Sequence, residues 1–287
     1  MCIAVFIWKS HPLYPFLLLS NRDEYHNRPT TPLGWWEDSK ILGGRDGEAG
    51  GTWLACTTDG KLSFLTNVRE ISSNSSLVKS RGELPIRFLK VFLLRFTMNF
   101  RLMNIFEGDT ATNGICALNI NQGTKSPKEF AEELEGEADQ FKGFNLIVAD
   151  LFSKTMLYIT NRPKDSHGLS VAEAQRLRRS FKVAVEKCFD AEISLKGISE
   201  VLMNDTSKDD ESELPGIYTP DFEYHLSAIF VEADSPLGRY GTRSTSALVV
   251  RTEGGRVKVS FYERNLENDV WKEQTMSFYV ECEKVGA

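Results

Sequence analysis

Residues 2–8 read Cys2-Ile3-Ala4-Val5-Phe6-Ile7-Trp8, and a second apolar run, Phe16-Leu17-Leu18-Leu19-Ser20, follows a turn holding Pro12 and Pro15. Neither run alternates apolar with polar residues, the pattern expected of strands covered on both faces. The pair therefore predicts an amino-terminal hairpin in a sheet with no wet side. Cys2 opens the first strand directly behind Met1. A small residue at position two permits removal of the starting methionine, which would leave a thiol and a free α-amine on one residue. The amine has a reference pKa of about 7.7–8.0 and a thiol about 8.5, so near neutral pH the amine can take the thiol proton. Read alone, the same cysteine also serves as a small apolar residue at a strand start, and only its neighbours can decide.

Working outward, Asn21-Arg22-Asp23-Glu24 forms a dense polar cluster at the predicted end of the second strand, and a Pro-, Gly- and Trp-rich loop is expected through Trp36. The glycine-dense stretch Gly43–Gly51 lacks the Gly-Lys-Ser/Thr ending of a phosphate loop and reads as a turn between strands. Thr52–Thr58 and Lys61–Val68 predict a hairpin closed by Asp59-Gly60, with Asn67 near the end of its second strand. Ser126-Pro127-Lys128-Glu129 supplies a cap, a first-turn proline and a capping-box acid for a helix. Phe144–Asp150 with Thr155–Thr160 predicts another hairpin, and Val171–Cys188 and Lys196–Met203 show helical spacing. Strands are expected again at Ser227–Glu232, Arg239–Arg251, Arg256–Arg264 and Trp271–Glu281, and the acidic stretch Ser207–Glu213 as an exposed loop. Strands at both ends and helices between them imply an α+β layered domain, two sheets face to face with helices outside.

At 287 residues the chain has ample length for a buried core, and 41% hydrophobic with 26% charged residues is ordinary for a globular protein. A net charge of −6 argues against nucleic-acid backbone binding and against a polybasic membrane patch. The five cysteines make no CxxC pair, which fits a reduced, intracellular compartment, and four scattered histidines give no zinc spacing. Phe88–Phe106 is apolar but is interrupted by Lys90, Arg95 and Arg101, so no transmembrane helix is expected.

Four positions besides Cys2 carry groups suited to thiol chemistry. An arginine such as Arg22 or Arg243 favours thiolate, Asp23 can orient an α-amine, and the Asn67 amide can donate to a developing oxyanion. Each also has a structural use: Arg–Asp pairs lock loops, and asparagine at a strand end serves turns.

The chain resembles the NRDE family, also called the transport and Golgi organisation protein 2 family. The resemblance is carried by Met1-Cys2, Asn21-Arg22-Asp23-Glu24-Tyr25, Gly50-Gly51-Thr52-Trp53-Leu54-Ala55, Phe64-Leu65-Thr66-Asn67-Val68-Arg69, Gly143-Phe144-Asn145-Leu146, Thr160-Asn161-Arg162-Pro163 and Tyr240-Gly241-Thr242-Arg243-Ser244-Thr245. It implies a single domain over residues 1–287 with a four-layer αββα sandwich of the N-terminal nucleophile hydrolase type. By that likeness Cys2 is the nucleophile, Arg22 and Asp23 the pair at its amine and thiol (Glu24 could play the acid's part), Asn67 an oxyanion donor and Arg243 a second site arginine. The family is linked to secretion and Golgi organisation, mitochondrial lipid homeostasis and haem handling. This implies a cytoplasmic protein with Golgi or mitochondrial association, needing no cofactor and carrying haem or an acyl lipid as ligand. The alternative is a cysteine amidohydrolase acting on a small acylated amide. Two departures stand out against the family pattern: an atypical insertion at 90–124, and a shortened segment around 163–175 that lacks a Leu-Ser-Asn-like motif. The second departure implies impaired hydrolysis.

Overall fold

In a computed structural model, which describes residues 2–37, 39–70, 79–90, 125–162, 171–188 and 192–281, the amino-terminal hairpin forms as expected. Strand β1 (Ile3–Trp8) pairs antiparallel with β2 (Phe16–Tyr25), Ile3 opposite Asn21 and Trp8 opposite Phe16. Ala4, Phe6 and Trp8 pack against one core while Ile3, Val5 and Ile7 pack against another. Both faces are covered, which is why the strand shows no alternation.

Twelve strands among the described residues make two antiparallel sheets. The first runs β1-β2-β10-β11-β12, where β10 is Gly238–Glu253, β11 Arg256–Glu267 and β12 Val270–Tyr279, and the short β9 (Glu232–Ser235) pairs with β10. The second is a meander: β3 (Thr30–Trp35), β4 (Ile41–Asp46), β5 (Leu54–Thr57), β6 (Lys61–Asn67), β7 (Phe144–Asp150) and β8 (Thr155–Thr160). Between the sheets lie Phe16, Leu18, Leu248 and Phe261 from the first and Leu42, Leu54, Phe64 and Ile147 from the second. Each such side chain, fully buried, contributes about 1.5–3 kcal/mol.

Five helices among the described residues cover the outward faces. Helix α1, at 83–90, and α2 (Pro127–Glu135) bury Leu84, Phe88, Phe130 and Leu134 against the second sheet. Helices α3 (Val171–Lys187) and α4 (Leu195–Met203) bury Leu177, Phe181, Ile198 and Leu202 against the first. Helix α5 (Pro220–Leu226) leads toward β9. The capping box expected at Ser126 and Glu129 is present, and Gly60 closes the β5–β6 hairpin at φ 86°. None of the described helices is long and apolar enough to cross a membrane.

Several expectations need correction. Asn21-Arg22-Asp23-Glu24 does not follow β2 but lies inside it, because β10 continues the ladder as far as Tyr240 opposite Tyr25. The Trp-rich loop contains β3, an edge strand whose pairing shifts between Thr31 and Gly34, where Pro32 can sit without a missing ladder bond. Gly43 and Gly44 are strand residues of β4 rather than part of the turn. Ser227–Glu232 is not a strand; the Ser227 hydroxyl donates to Tyr224 O and finishes α5, and β9 starts at Glu232. The acidic stretch is not wholly exposed, since Asp209 is buried and paired with Arg176. The 90–124 insertion beyond Lys90, and 163–170 of the shortened segment, lie outside the described residues.

Candidate active site

Cys2 stands one residue before β1, in the same alternation as Ala4, Phe6 and Trp8, so its side chain belongs to the face between the sheets. It lines a cleft of about 460 Å³ together with Arg22, Asp23, Glu24 and Asn67. Arg22, Asp23 and Glu24 come from β2 of the first sheet, and Asn67 ends β6 of the second. Two sheets thus contribute to one opening, and four of the five sequence-predicted residues share it.

Each residue of the polar cluster has its own environment because successive side chains on a strand face opposite ways. Asn21 turns toward the helices, where its amide donates to Met203 O (2.9 Å) and Ile229 O (2.8 Å) and its oxygen accepts from the Thr245 hydroxyl (2.8 Å). Arg22 turns between the sheets, donating to Thr30 Oγ1 and Asp46 Oδ2 at 3.0 Å each and lying 4.3 Å over the Trp53 ring. Asp23 accepts from the Thr242 hydroxyl at 2.7 Å. Burial pushes the Asp23 carboxyl up, opposed by that hydrogen bond and by the charge of Arg69. Burial likewise pushes the Cys2 thiol up, the Asp23 charge adds to this, and Arg22 opposes it. The Asn67 side-chain amide has no hydrogen-bond partner among the described residues.

Arg243 does not join them. The register between β10 and β2 shifts between Thr242, opposite Asp23, and Ser244, opposite Arg22, so Arg243 is the extra residue of a bulge. Its guanidinium donates to Tyr25 O (2.7 Å) and Arg28 O (3.1 Å) and lines a separate cleft with His26, Asn27 and Asn268. The bulge re-aims the side chain away from the thiol, and Thr242 of β10 reaches the Asp23 carboxylate.

A profile of the family described as "Transport and Golgi organisation 2" matches residues 1–268. The chain belongs to this family. It is 27% identical over 312 aligned residues to the "Transport and Golgi organization 2 homolog" of Mus musculus, covering 97% of this chain and 99% of that one. The "Transport and Golgi organization protein 2 homolog" of Homo sapiens is 26% identical with the same coverage, and that of Bos taurus is 26% identical over 93% of each chain.

Sequence reasoning missed Arg81 and Lys142 among the residues lining the cleft of this transport and Golgi organisation 2 family member. Arg81 reaches it from just ahead of α1, where Gly51 and Gly82 meet: a Cβ on Gly51 would sit 2.6–2.7 Å from Gly82 backbone, and Thr52 N donates to Gly82 O at 3.0 Å. The doubled glycine at 50–51 was the available signal for so close a backbone approach. Tyr240, whose hydroxyl donates to Asp23 O at 3.3 Å, lines the adjoining cavity.

Proposed function

We propose that the Cys2 cleft is an N-terminal-nucleophile site, in an αββα sandwich of that type, hydrolysing the amide bond of a small acylated substrate. The observation that carries this reading is the meeting of Cys2, Arg22, Asp23 and Asn67 on one cleft. The layered packing of helices on the outer faces of two facing sheets supports the fold assignment. Once Met1 is removed, the α-amine of Cys2 takes the thiol proton as sulfur adds to the amide carbonyl. The Asn67 amide donates to the carbonyl oxygen as its charge develops. Collapse breaks the C–N bond; the departing amine takes the proton from the α-ammonium, and a thioester remains. The α-amine then deprotonates a water that attacks the thioester, releasing the acid and restoring the thiol. The sum is amide plus water to acid plus amine. Asp23 keeps the amine oriented, and Arg22 is held against Trp53 and Asp46 as a fixed positive charge.

The short stretch after Pro163 carries no Leu-Ser-Asn-like motif. Hydrolysis is therefore expected to be impaired. The test compares full-length protein beginning at Cys2 with protein that keeps one residue ahead of it. The reading expects acylation of Cys2 by an activated acyl ester in the first alone, and equal acylation of both would refute it.

A second reading, a carrier of haem or an acyl lipid, is favoured by an aromatic-lined arm adjoining the cleft, which includes Tyr218, Phe222 and Tyr240. The groups suited to iron are the tyrosine hydroxyls of this arm and the Cys2 thiol of the adjoining cleft. Haem titration tests it: the carrier reading expects a shifted haem spectrum, and none at micromolar protein counts against it. The cellular setting we assign is that of the family name, transport and Golgi organisation, inside the cell with Golgi or mitochondrial association.

A further inference from the structure

The cleft at Cys2 continues into a second cavity of about 310 Å³, and Glu24, Asn67, Arg81 and Lys142 line both. Beyond that junction one wall is aromatic, and the rest is Val68, Leu226, Arg69 and Glu70, the last paired with Arg162 at 2.7 Å. Tyr25, Tyr240, Phe222 and Tyr218 form an edge-on series with ring centroids 5.1, 5.8 and 5.9 Å apart. Such a wall presents ring edges and faces to a planar guest.

The cations around these cavities differ in how they are used. Arg22 and Arg28 are paired with Asp46, Lys79 with Glu137 and Arg69 with Glu173. Arg81 and Lys142 make no ion pair among the described residues; Arg81 gives one N–H to Gly143 O at 3.0 Å. The carboxylate at the same junction, Glu24, lies 3.7 Å from Arg28 and accepts from Tyr25 N at 2.8 Å. Burial lowers the Arg81 pKa, and the neighbouring Cys2, Glu70 and Glu24 charges oppose that. A partly desolvated guanidinium without a carboxylate partner is stabilised by an anion that arrives with its ligand.

We infer that the substrate of the Cys2 site is an amide bearing a carboxylate, held by Arg81 and Lys142 at the junction, and an aromatic group seated among Tyr25, Tyr218, Phe222 and Tyr240: the class of N-acylated aromatic amino acids. As a substrate assignment this rests on the reading of Cys2 as nucleophile. Its test reads binding separately. Full-length Cys2→Ala protein, which cannot turn over, is titrated calorimetrically with N-acetyl-L-phenylalanine and with its neutral amide. The expected result is tighter binding of the anion by about tenfold or more, the size of a charge-assisted contact. Arg81→Gln with Lys142→Gln removes that preference, while Arg81→Lys, keeping the charge, retains part of it. Equal affinity for the two compounds, binding of neither, or a preference that survives the double substitution would overturn the inference. Acylation of Cys2 in wild-type protein without any anion preference refutes the subsite alone. Anion preference without acylation refutes the nucleophile and leaves the subsite standing.

Discussion

Asn21, Arg22, Asp23 and Glu24 sit side by side in the chain and do four different things. Asn21 staples α4 and the segment before β9 to the first sheet, Arg22 ties the first sheet to the second, Asp23 takes the Thr242 hydroxyl, and Glu24 stands where two cavities join. Asn21→Ala would strand two buried carbonyls and the Thr245 hydroxyl, and is expected to cost about 3 kcal/mol in urea unfolding. Asp23 gives a different kind of prediction. Its carboxyl is pushed up by burial and held down by the Thr242 hydroxyl, so Thr242→Val should raise it further. Acylation of Cys2 should then fall at neutral pH and its pH profile should move to higher pH. An unchanged profile would show that Asp23 does not govern the amine.

Among the elements, the β5–β6 and β7–β8 hairpins and the α2 cap were legible in sequence because their signals are local: Asp59-Gly60, two apolar runs, and Ser126 three residues before Glu129. The extension of β2 and the bulge at Arg243 were not, because both arise from pairing strands more than 200 residues apart, such as Tyr25 with Tyr240. Strand β4 was hidden for another reason. Gly43 and Gly44 carry no hydrophobic pattern, and they are small because Ala55 and the Trp53 ring lie against their backbone. Gly51→Ala should force the Gly82 backbone away, costing about 1–3 kcal/mol and weakening whatever Arg81 holds. Thermal unfolding together with the anion titration would register both effects.

Strand β11 supplies a pH prediction. Glu263 is fully buried between the sheets, accepts from Leu33 N at 2.6 Å, and burial raises its pKa from 4.5 to about 7. A raised folded value means the native state holds the proton longer than the unfolded chain. Its contribution to stability is therefore full below about pH 4.5 and is lost as pH climbs through about 7. Glu263→Gln removes that loss. The variant should gain about 3 kcal/mol relative to wild type between pH 4.5 and 8, read from urea midpoints at each pH. A constant difference across that range would mean Glu263 does not titrate there.

At the scale of the molecule, the site lies where the ends of two sheets meet. No strand carries it alone: Cys2 and Asp23 come from the first sheet, Asn67 from the second, and Arg81 from the backbone contact of Gly51 with Gly82. Sequence located the parts that sit within recognisable motifs; it could not exclude Arg243, which the β10–β2 register turns aside, or find Arg81, which the Gly51–Gly82 contact brings in. The cores between and outside the sheets hold this geometry, and the proposed role of Cys2 as nucleophile requires the loss of Met1. The most direct test is mass spectrometry of the amino-terminal peptide from protein purified from cells and exposed to an activated acyl ester. The account predicts a peptide that starts at Cys2 and gains one acyl group there. A peptide that still begins with Met1, or acylation that persists undiminished in Cys2→Ala protein, would contradict it.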